Sequence, residues 1–298
     1  MKMKSVIKKI IPAVLWVKLG EYKRNLKMFK LKIKIIKYLE QDSKYDNPEK
    51  EVIIDFLKNN SLSVFPYNFI KKYNAKDIIV YTDNQNRMRY VLHENKRLYF
   101  KKNWNEKKIM DYYYSLLIEQ DIDSPHRYET PNFYVKTGDV IVDVGVAEGN
   151  FALSVVEKAK KLYLFEVDEE WIDALKITFA PWIGKVEIVC KYVSDNDDYK
   201  NVTLDTFLER EKVDFIKADI EGAETALVKG SKNILSDNQP LKIIMCTYHK
   251  PNDAEELNRM LMESGFQTEF SKGYMIYVYD QTLCAPYLRK GLIRGIKV

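Results

Sequence analysis

Long apolar runs are missing from this 298-residue chain. The best candidate, Ile10 to Val17, is ended by Lys18 and falls well short of the roughly 20 residues that cross a bilayer. It follows a basic start but carries no small-x-small cleavage pattern, so a secretory leader is not expected. Cysteine is scarce: Cys190, Cys246 and Cys284 are odd in number and widely spaced, with no Cys-x-x-Cys pair. That pattern argues against a disulfide framework or a zinc ribbon, and it suits a reducing cytoplasm. Cys190 and Cys246 fall in strand-like runs and are expected to pack as small apolar residues. Glycine (11) and proline (9) are too few for a low-complexity chain, and no internal repeat is visible. Aromatics are plentiful at 13%, with 21 tyrosines, so a packed globular core is expected rather than disorder.

The net charge of +5 hides an uneven distribution. Residues 1–40 carry twelve Lys or Arg against Glu21 and Glu40 alone, which leaves the remainder of the chain acidic. Basic character concentrated in one terminal segment does not describe a nucleic-acid-binding face, and no nucleic-acid partner is expected. The segment interleaves lysines with Ile, Leu, Val, Met and Trp. It suits an amphipathic helix lying on an anionic membrane face, or a helix packing its apolar side on its own domain. Pro12 and Gly20 interrupt the pattern, and residues 29–35 alternate with period two, so strand competes with helix there. Arg289, Lys290, Arg294 and Lys297 form a second basic cluster in what reads as a tail, residues 283–298.

Between these ends the chain divides in two. Residues 41–130 read as an accessory region of mixed structure. A helix is expected over 50–72, strands near 77–83, 87–92 and 97–100, and a tyrosine-rich helix over 105–119. From residue 131 to 282 strands and helices alternate regularly. Strands are expected at 139–144, 161–167, 186–194, 213–220 and 241–248, with two short ones near 266–270 and 274–280. Thr203 and Asp168 are expected helix N-caps, and Gly230 and Gly265 expected helix ends. The pattern predicts a doubly wound α/β sheet of Rossmann type, with seven strands and an antiparallel strand in the last pair. In such sheets ligands sit beyond the carboxyl ends of the strands.

Those ends carry the chemistry. The first strand runs into DVGVAEGN, a bend of small residues in which Asp143, Gly145, Ala147, Gly149 and Asn150 are the candidate ligand contacts. Its Asp-x-Gly-x-Ala-x-Gly spacing differs from the Gly-x-Gly-x-x-Gly of a dinucleotide site. That difference turns the reading from a pyrophosphate toward S-adenosylmethionine and leaves an NAD-dependent oxidoreductase as the disfavoured alternative. Glu166, about twenty residues on, is placed to accept both ribose hydroxyls, with Val167 beside it. Ser194 and Asp195 follow the third strand as candidates for the adenine edge. Asp219 and Glu221 follow the fourth, and Tyr248 and His249 the fifth.

VTLDTF at 202–207, VDFIKADIEGAE at 213–224, the closing LVKG and TYHK at 247–250 together resemble the signature of FkbM-type methyltransferases. The resemblance covers roughly residues 133–280. It implies a Rossmann-type, S-adenosylmethionine-dependent O-methyltransferase, with Glu166 as the ribose-binding acid and a histidine, here His249, after the fifth strand. This chain departs from the commoner first motif in having Glu148 where Asn is usual.

Methyl transfer from a sulfonium is an in-line displacement at carbon, and a hydroxyl acceptor must also lose its proton. His249 is the favoured base, with Asp219 as a second base or as its orienting partner. Glu221 is an alternative contact for the cofactor's amino group. Asp219, Glu221, Glu224 and His249 also make an oxygen-rich candidate site for Mg²⁺. His126, Arg127 and Tyr128 lie just ahead of the methyltransferase unit and are candidates to line an acceptor pocket, as are Tyr248, Lys272 and Tyr274. The expected acceptor is a hydroxyl of a glycan, a lipid-linked sugar or a nucleotide sugar in surface-polysaccharide or related biosynthesis. A small natural product is the alternative. The enzyme is expected in the cytoplasm, with residues 1–40 bringing it to the inner membrane face. The oligomeric state is not legible.

Overall fold

A computed structural model describes residues 13–41, 48–209 and 211–298, with side chains of the first helix from Tyr22 onward. The start of the basic segment, including Pro12, lies outside the described residues. Helix α1 runs unbroken from Ala13 to Gln41. Helix prevails over the period-two reading because Ile35, Ile36 and Leu39 share one side and are buried together. They pack against Ile53, Ile54, Phe56 and Leu57 of α2 (Pro48–Asn59), and against Ile276, Tyr287 and Leu288 near the carboxyl end. Earlier in α1, Tyr22, Leu26, Phe29 and Ile33 remain exposed. The inward-packing arrangement therefore holds only for the last part of this helix.

The helix expected over 50–72 stops at Asn59, and two short 3₁₀ turns, Asn68–Lys72 and Ala75–Asp77, replace its second half. Strands β1 (Tyr81–Thr82), β2 (Arg89–His93) and β3 (Lys96–Tyr99) form an antiparallel three-stranded sheet. Glu94 and Asn95 make the β2–β3 turn, both at positive φ (49° and 64°), the twist a two-residue hairpin favours. Asn105 then caps α3 (Glu106–Glu119) by accepting from the Lys108 amide at 2.9 Å.

The larger unit is a seven-stranded sheet. Its elements in chain order are β4 (Val140–Val144), α4 (Asn150–Val155), β5 (Lys161–Phe165), α5 (Glu169–Thr178) and β6 (Val186–Val189). A small separate pair, β7 (Tyr192–Val193) and β8 (Asn201–Val202), precedes α6 (Leu204–Leu208). The sheet resumes with β9 (Phe215–Ala218), then α7 (Glu224–Lys229), α8 (Lys232–Ser236), β10 (Leu241–Cys246), α9 (Asp253–Glu263), β11 (Gln267–Phe270) and β12 (Leu292–Lys297). The spatial order is β11-β12-β10-β9-β4-β5-β6. Five strands are parallel, and β12 runs antiparallel to both β10 and β11. The order reverses between β4 and β9, which opens a crevice at their carboxyl ends. One face of the sheet carries α4 and α5 together with α3 and the hairpin region; the other carries α6 to α9. This is the Rossmann-like, doubly wound α/β fold expected from the sequence.

Three local expectations are corrected. The antiparallel strand is 292–297, inside the presumed basic tail, and not 274–280. Leu292 and Ile293 are fully buried there, while Arg294 is also buried and its guanidinium donates to the Arg127 carbonyl. Segment 274–280 divides its apolar residues instead: Tyr274, Ile276 and Val278 pack with α1 and α2, while Met275 and Tyr277 join the main core. The third strand ends at Val189, which leaves Cys190 exposed; Cys246 is buried as expected.

Candidate active site

Asp143 and Lys217 are register partners on β4 and β9, and their side chains meet at 2.9 Å beneath the glycine bend. Lys217 also donates to the Gly145 carbonyl at 2.8 Å. Burial lowers the lysine's pKa, but the charges of Asp143 and Asp219 outweigh it and the net direction is up. Burial raises that of Asp143, with Lys217 opposing. Asp143, 1% exposed, thus fixes the bend from below. The bend's glycines answer to protein packing as much as to any ligand. A Cβ on Gly145 (φ 74°) would lie 1.8 Å from the Asp219 carbonyl oxygen, and one on Gly149 (φ 87°) would meet Leu175 and Phe179. Ala147 (φ 48°) and Glu221 (φ 53°) hold left-handed backbone in the two loops that flank the crevice.

Glu166 leans across this bend. Its Oε2 accepts from the Ala147 amide, and its Oε1 from the amides of Val167 and Asp168, each at 2.8 Å. Asn150 begins α4 with its side chain accepting from the Phe151 amide, and is buried. Asp168 caps α5 as expected, accepting from the Glu170 and Trp171 amides. Glu148 is 3% exposed and accepts from the Tyr112 hydroxyl at 2.7 Å. Tyr112, Trp104 and Trp171 pack edge-to-face or tilted with centroids 5.0 to 5.8 Å apart, so the accessory helix closes over the bend. Ser194 and Asp195 sit apart in the loop after β7, where Ser194 backbone packs on Gly230 and its hydroxyl contacts Asp195 and Asn196.

Asp219 is the hub. Tyr128 donates to its Oδ2 at 3.1 Å and Tyr248 to its Oδ1 at 3.4 Å. His126 Nε2 lies 3.7 Å from Oδ2 and His249 Nε2 lies 3.5 Å from Oδ1. Burial first, and then the Asp219 charge, push both tyrosines well above the ordinary phenol value, so each keeps its proton and donates. On the other side of the His249 ring, Nδ1 meets Glu224 Oε1 at 2.9 Å, fully buried. Burial lowers the pKa of His249, but the Glu224 hydrogen bond and the Asp219 charge reverse this and raise it. Arg289 donates to the backbone carbonyls of Tyr248 and His249, which fixes that loop. His126 is fully desolvated and pulled down to about 4 despite Asp219, hence neutral near pH 7.

His126, Tyr128, Tyr248, His249 and Asp219 are thus brought together. Arg127 is not: its guanidinium donates to the carbonyls of Gln120 and Glu129. Lys272 is exposed and lines a separate groove with Arg127 and Arg294. The Tyr274 amide donates to the Tyr67 hydroxyl, and its ring lies under Lys290. Glu221 is 85% exposed, with Oε2 3.9 Å from His249 Nε2 and accepting from Tyr277. The tighter three-donor group is Asp219, Glu224 and His249. A ring nitrogen already bonded to a carboxylate does not suit Mg²⁺, which takes oxygen donors. Sequence reasoning missed Lys217 and took Glu224 for a metal candidate rather than the partner of His249, though both lie within the KADIEGAE motif. It also missed Glu119, which lies on the same tyrosine-rich helix as Tyr112.

Residues 134–268 match the family model described as the methyltransferase FkbM domain. No curated protein matches the chain. Among solved structures, methyltransferase FkbM from Methylobacillus flagellatus KT is 15% identical, with a TM-score of 0.45, over 63% of this chain and 53% of that one. The chain therefore spans about half the length of that relative. A Streptococcus mutans protein assigned as a methyltransferase, in complex with SAH, is 14% identical, with a TM-score of 0.38, over 55% of this chain and 91% of that one. An rRNA methylase from Streptococcus thermophilus is 15% identical, with a TM-score of 0.35, over 55% and 89%. The glycine bend, Glu166 and the acidic turn after β9 all fall within the matched segment, and the chain carries a methyltransferase domain of the FkbM family.

Proposed function

We propose that the chain methylates a hydroxyl of a glycan, lipid-linked sugar or nucleotide sugar, with S-adenosylmethionine as donor and His249 as proton acceptor. One observation carries this reading: His249 has Nδ1 engaged by Glu224, while Nε2 faces Asp219 at the open end of the β4–β9 crevice. The residues present fit the donor. Glu166 Oε2 accepts a single backbone bond and retains a lone pair for a ribose hydroxyl, whereas Oε1 already accepts two amides. Ser194 and Asp195 are the groups for the adenine edge. S-adenosylmethionine supplies an already activated methyl group, so the protein has only to orient the acceptor and take its proton. Glu224 fixes the ring orientation of His249. Asp219 holds the Tyr128 and Tyr248 hydroxyls in place and stabilises the imidazolium that forms when the acceptor proton arrives. Titration calorimetry with S-adenosylhomocysteine and with NADH tests the donor. Binding of the former alone, weakened by about tenfold or more in Glu166→Ala, is expected; heat from NADH and none from S-adenosylhomocysteine would refute the reading.

The same reading places the enzyme in the cytoplasm, at the inner face of a membrane. Among the described residues no helix is long and apolar enough to cross one. The exposed Tyr22, Leu26, Phe29 and Ile33 recur at three- and four-residue steps along α1. Seven Lys or Arg residues and no acid lie between Glu21 and Glu40. Such a stripe suits the surface of an anionic bilayer. The full chain is expected to co-sediment with vesicles containing phosphatidylserine and not with phosphatidylcholine alone; replacing the four apolar residues with Ser should abolish it. Equal binding by that variant would rule the surface out.

A further inference from the structure

A cavity of about 330 Å³ lies against the Asp219 hub, between the accessory region and the loop after β11. Phe65, Glu119, His126, Tyr248, Tyr277 and Tyr279 are among its walls, and among the described residues no Lys or Arg contributes. His126 and Tyr248 belong at once to this cavity and to the hub, so the cavity shares a wall with the Asp219 cluster. Glu119 is its one carboxylate. Among the described residues it has no hydrogen-bond or ion-pair partner, unlike Asp143 on Lys217, Glu148 on Tyr112 and Glu224 on His249. Glu119 is half-buried, and a cavity-lining carboxylate with no protein donor is open to one from a ligand. The charges around it are also acidic. Burial first, then the neighbouring Asp219 and Glu148, push Glu119 up to about 8.

We propose that this cavity is the acceptor site, and that Glu119, contributed by the accessory helix α3, selects a sugar ring whose cavity-facing substituent donates hydrogen bonds. An amino group is preferred over a hydroxyl, and phosphate or carboxylate on that ring is rejected. The inference rests on the methyl-transfer reading and narrows its acceptor. The aromatic walls supply the apolar faces a sugar ring covers. An arriving ammonium favours the ionised form of the unpaired Glu119 carboxyl, which then supplies its acceptor, and a hydroxyl can bond to either form. The absence of a cationic wall leaves an anion uncompensated in a site that already repels it.

The test uses the full chain saturated with S-adenosylhomocysteine, with methyl glucosaminide, methyl glucoside and glucose 6-phosphate as probes in ligand-observed NMR titrations. The amino sugar is expected to bind best and the phosphate not at all. Glu119→Gln, nearly isosteric, should weaken the amino sugar about tenfold or more while moving the neutral sugar by less than about threefold. Glu119→Lys should admit the phosphate. Phosphate binding to the wild type, an unchanged amino sugar in Glu119→Gln, or no probe binding while the homocysteine does bind would each overturn the proposal. Failure of S-adenosylhomocysteine itself to bind would instead strike the methyl-transfer reading.

Discussion

His249 is one of only three histidines in the chain, so its titration can be followed without ambiguity. Desolvation lowers His93 and His126, whereas the carboxylates around His249 outweigh its desolvation. A proton NMR titration of the ring C2–H signals should therefore show one histidine above the ordinary value of about 6.5 and two below it. In Glu224→Gln the hydrogen-bonded carboxylate is gone, burial regains weight, and the high titration should move down. A high signal that survives unmoved would show that Glu224 does not govern the ring. As a base His249 works only when neutral, so turnover should rise with pH through that same titration. His249→Ala should lower it about 100-fold or more, with S-adenosylhomocysteine affinity little changed. The histidine was legible because it follows a strand at a predictable edge. Its partner was not: Glu224 looks like any acid in the first turn of a helix, and only folding brings it within 2.9 Å of a residue 25 positions away. Lys217 was hidden for a similar reason. A lysine among strand residues reads as solvent-facing until its neighbour across the ladder is known to be Asp143.

Elements were legible where a local period and a long-range packing demand agreed. The alternation from β4 to β11 is of that kind, since each buried strand is bounded by a helix with its own apolar face. β12 was misread because GLIRGIKV carries a basic residue in its middle, while MIYVY at 275–279 has the stronger strand composition. The sheet takes the former, while Ile276 and Val278 of the latter pack with α1 and α2 and Met275 joins the main core. The accessory region was legible as helix and hairpin, but its purpose was not, because no local pattern says what α3 covers. It clamps the crevice. Lys101 pairs with Asp168, Asn103 donates to Glu170, and Trp104 stands edge-on to Trp171 at 5.1 Å. Trp104→Ala should cost about 3 kcal/mol of stability in urea unfolding, the expected loss for a buried aromatic. It should also raise hydrogen exchange at the amides of 145–150 beneath the clamp. Exchange confined to α3 would mean that the accessory helix does not hold the bend.

At the scale of the whole molecule, the acceptor end of the crevice gathers more buried acids than cations. Asp143, Glu148 and Glu119 are all raised by burial, and of the buried lysines only Lys217 stands among them. The sign of the resulting stability follows from linkage. A carboxyl whose folded pKa lies above its unfolded value binds more protons when folded, so its contribution is complete below about 4.5 and is lost as pH rises toward the folded value. For Glu119 that window ends at about 8. His249, also raised, loses its contribution in the same direction as pH climbs above its ordinary value. His126, lowered to about 4, acts oppositely, but only between about 4 and 6.5, where it offsets Glu119. Stability should therefore be nearly level from pH 5 to 6.5 and fall by about 1 to 2 kcal/mol between 6.5 and 8. The measurement is the urea midpoint at constant ionic strength across that range. Glu119→Gln, which cannot ionise, should reduce the fall above 6.5, leaving the part that His249 contributes. A wild-type midpoint that rises from pH 6.5 to 8 would mean that Glu119 is ionised in the folded chain and already holds a partner.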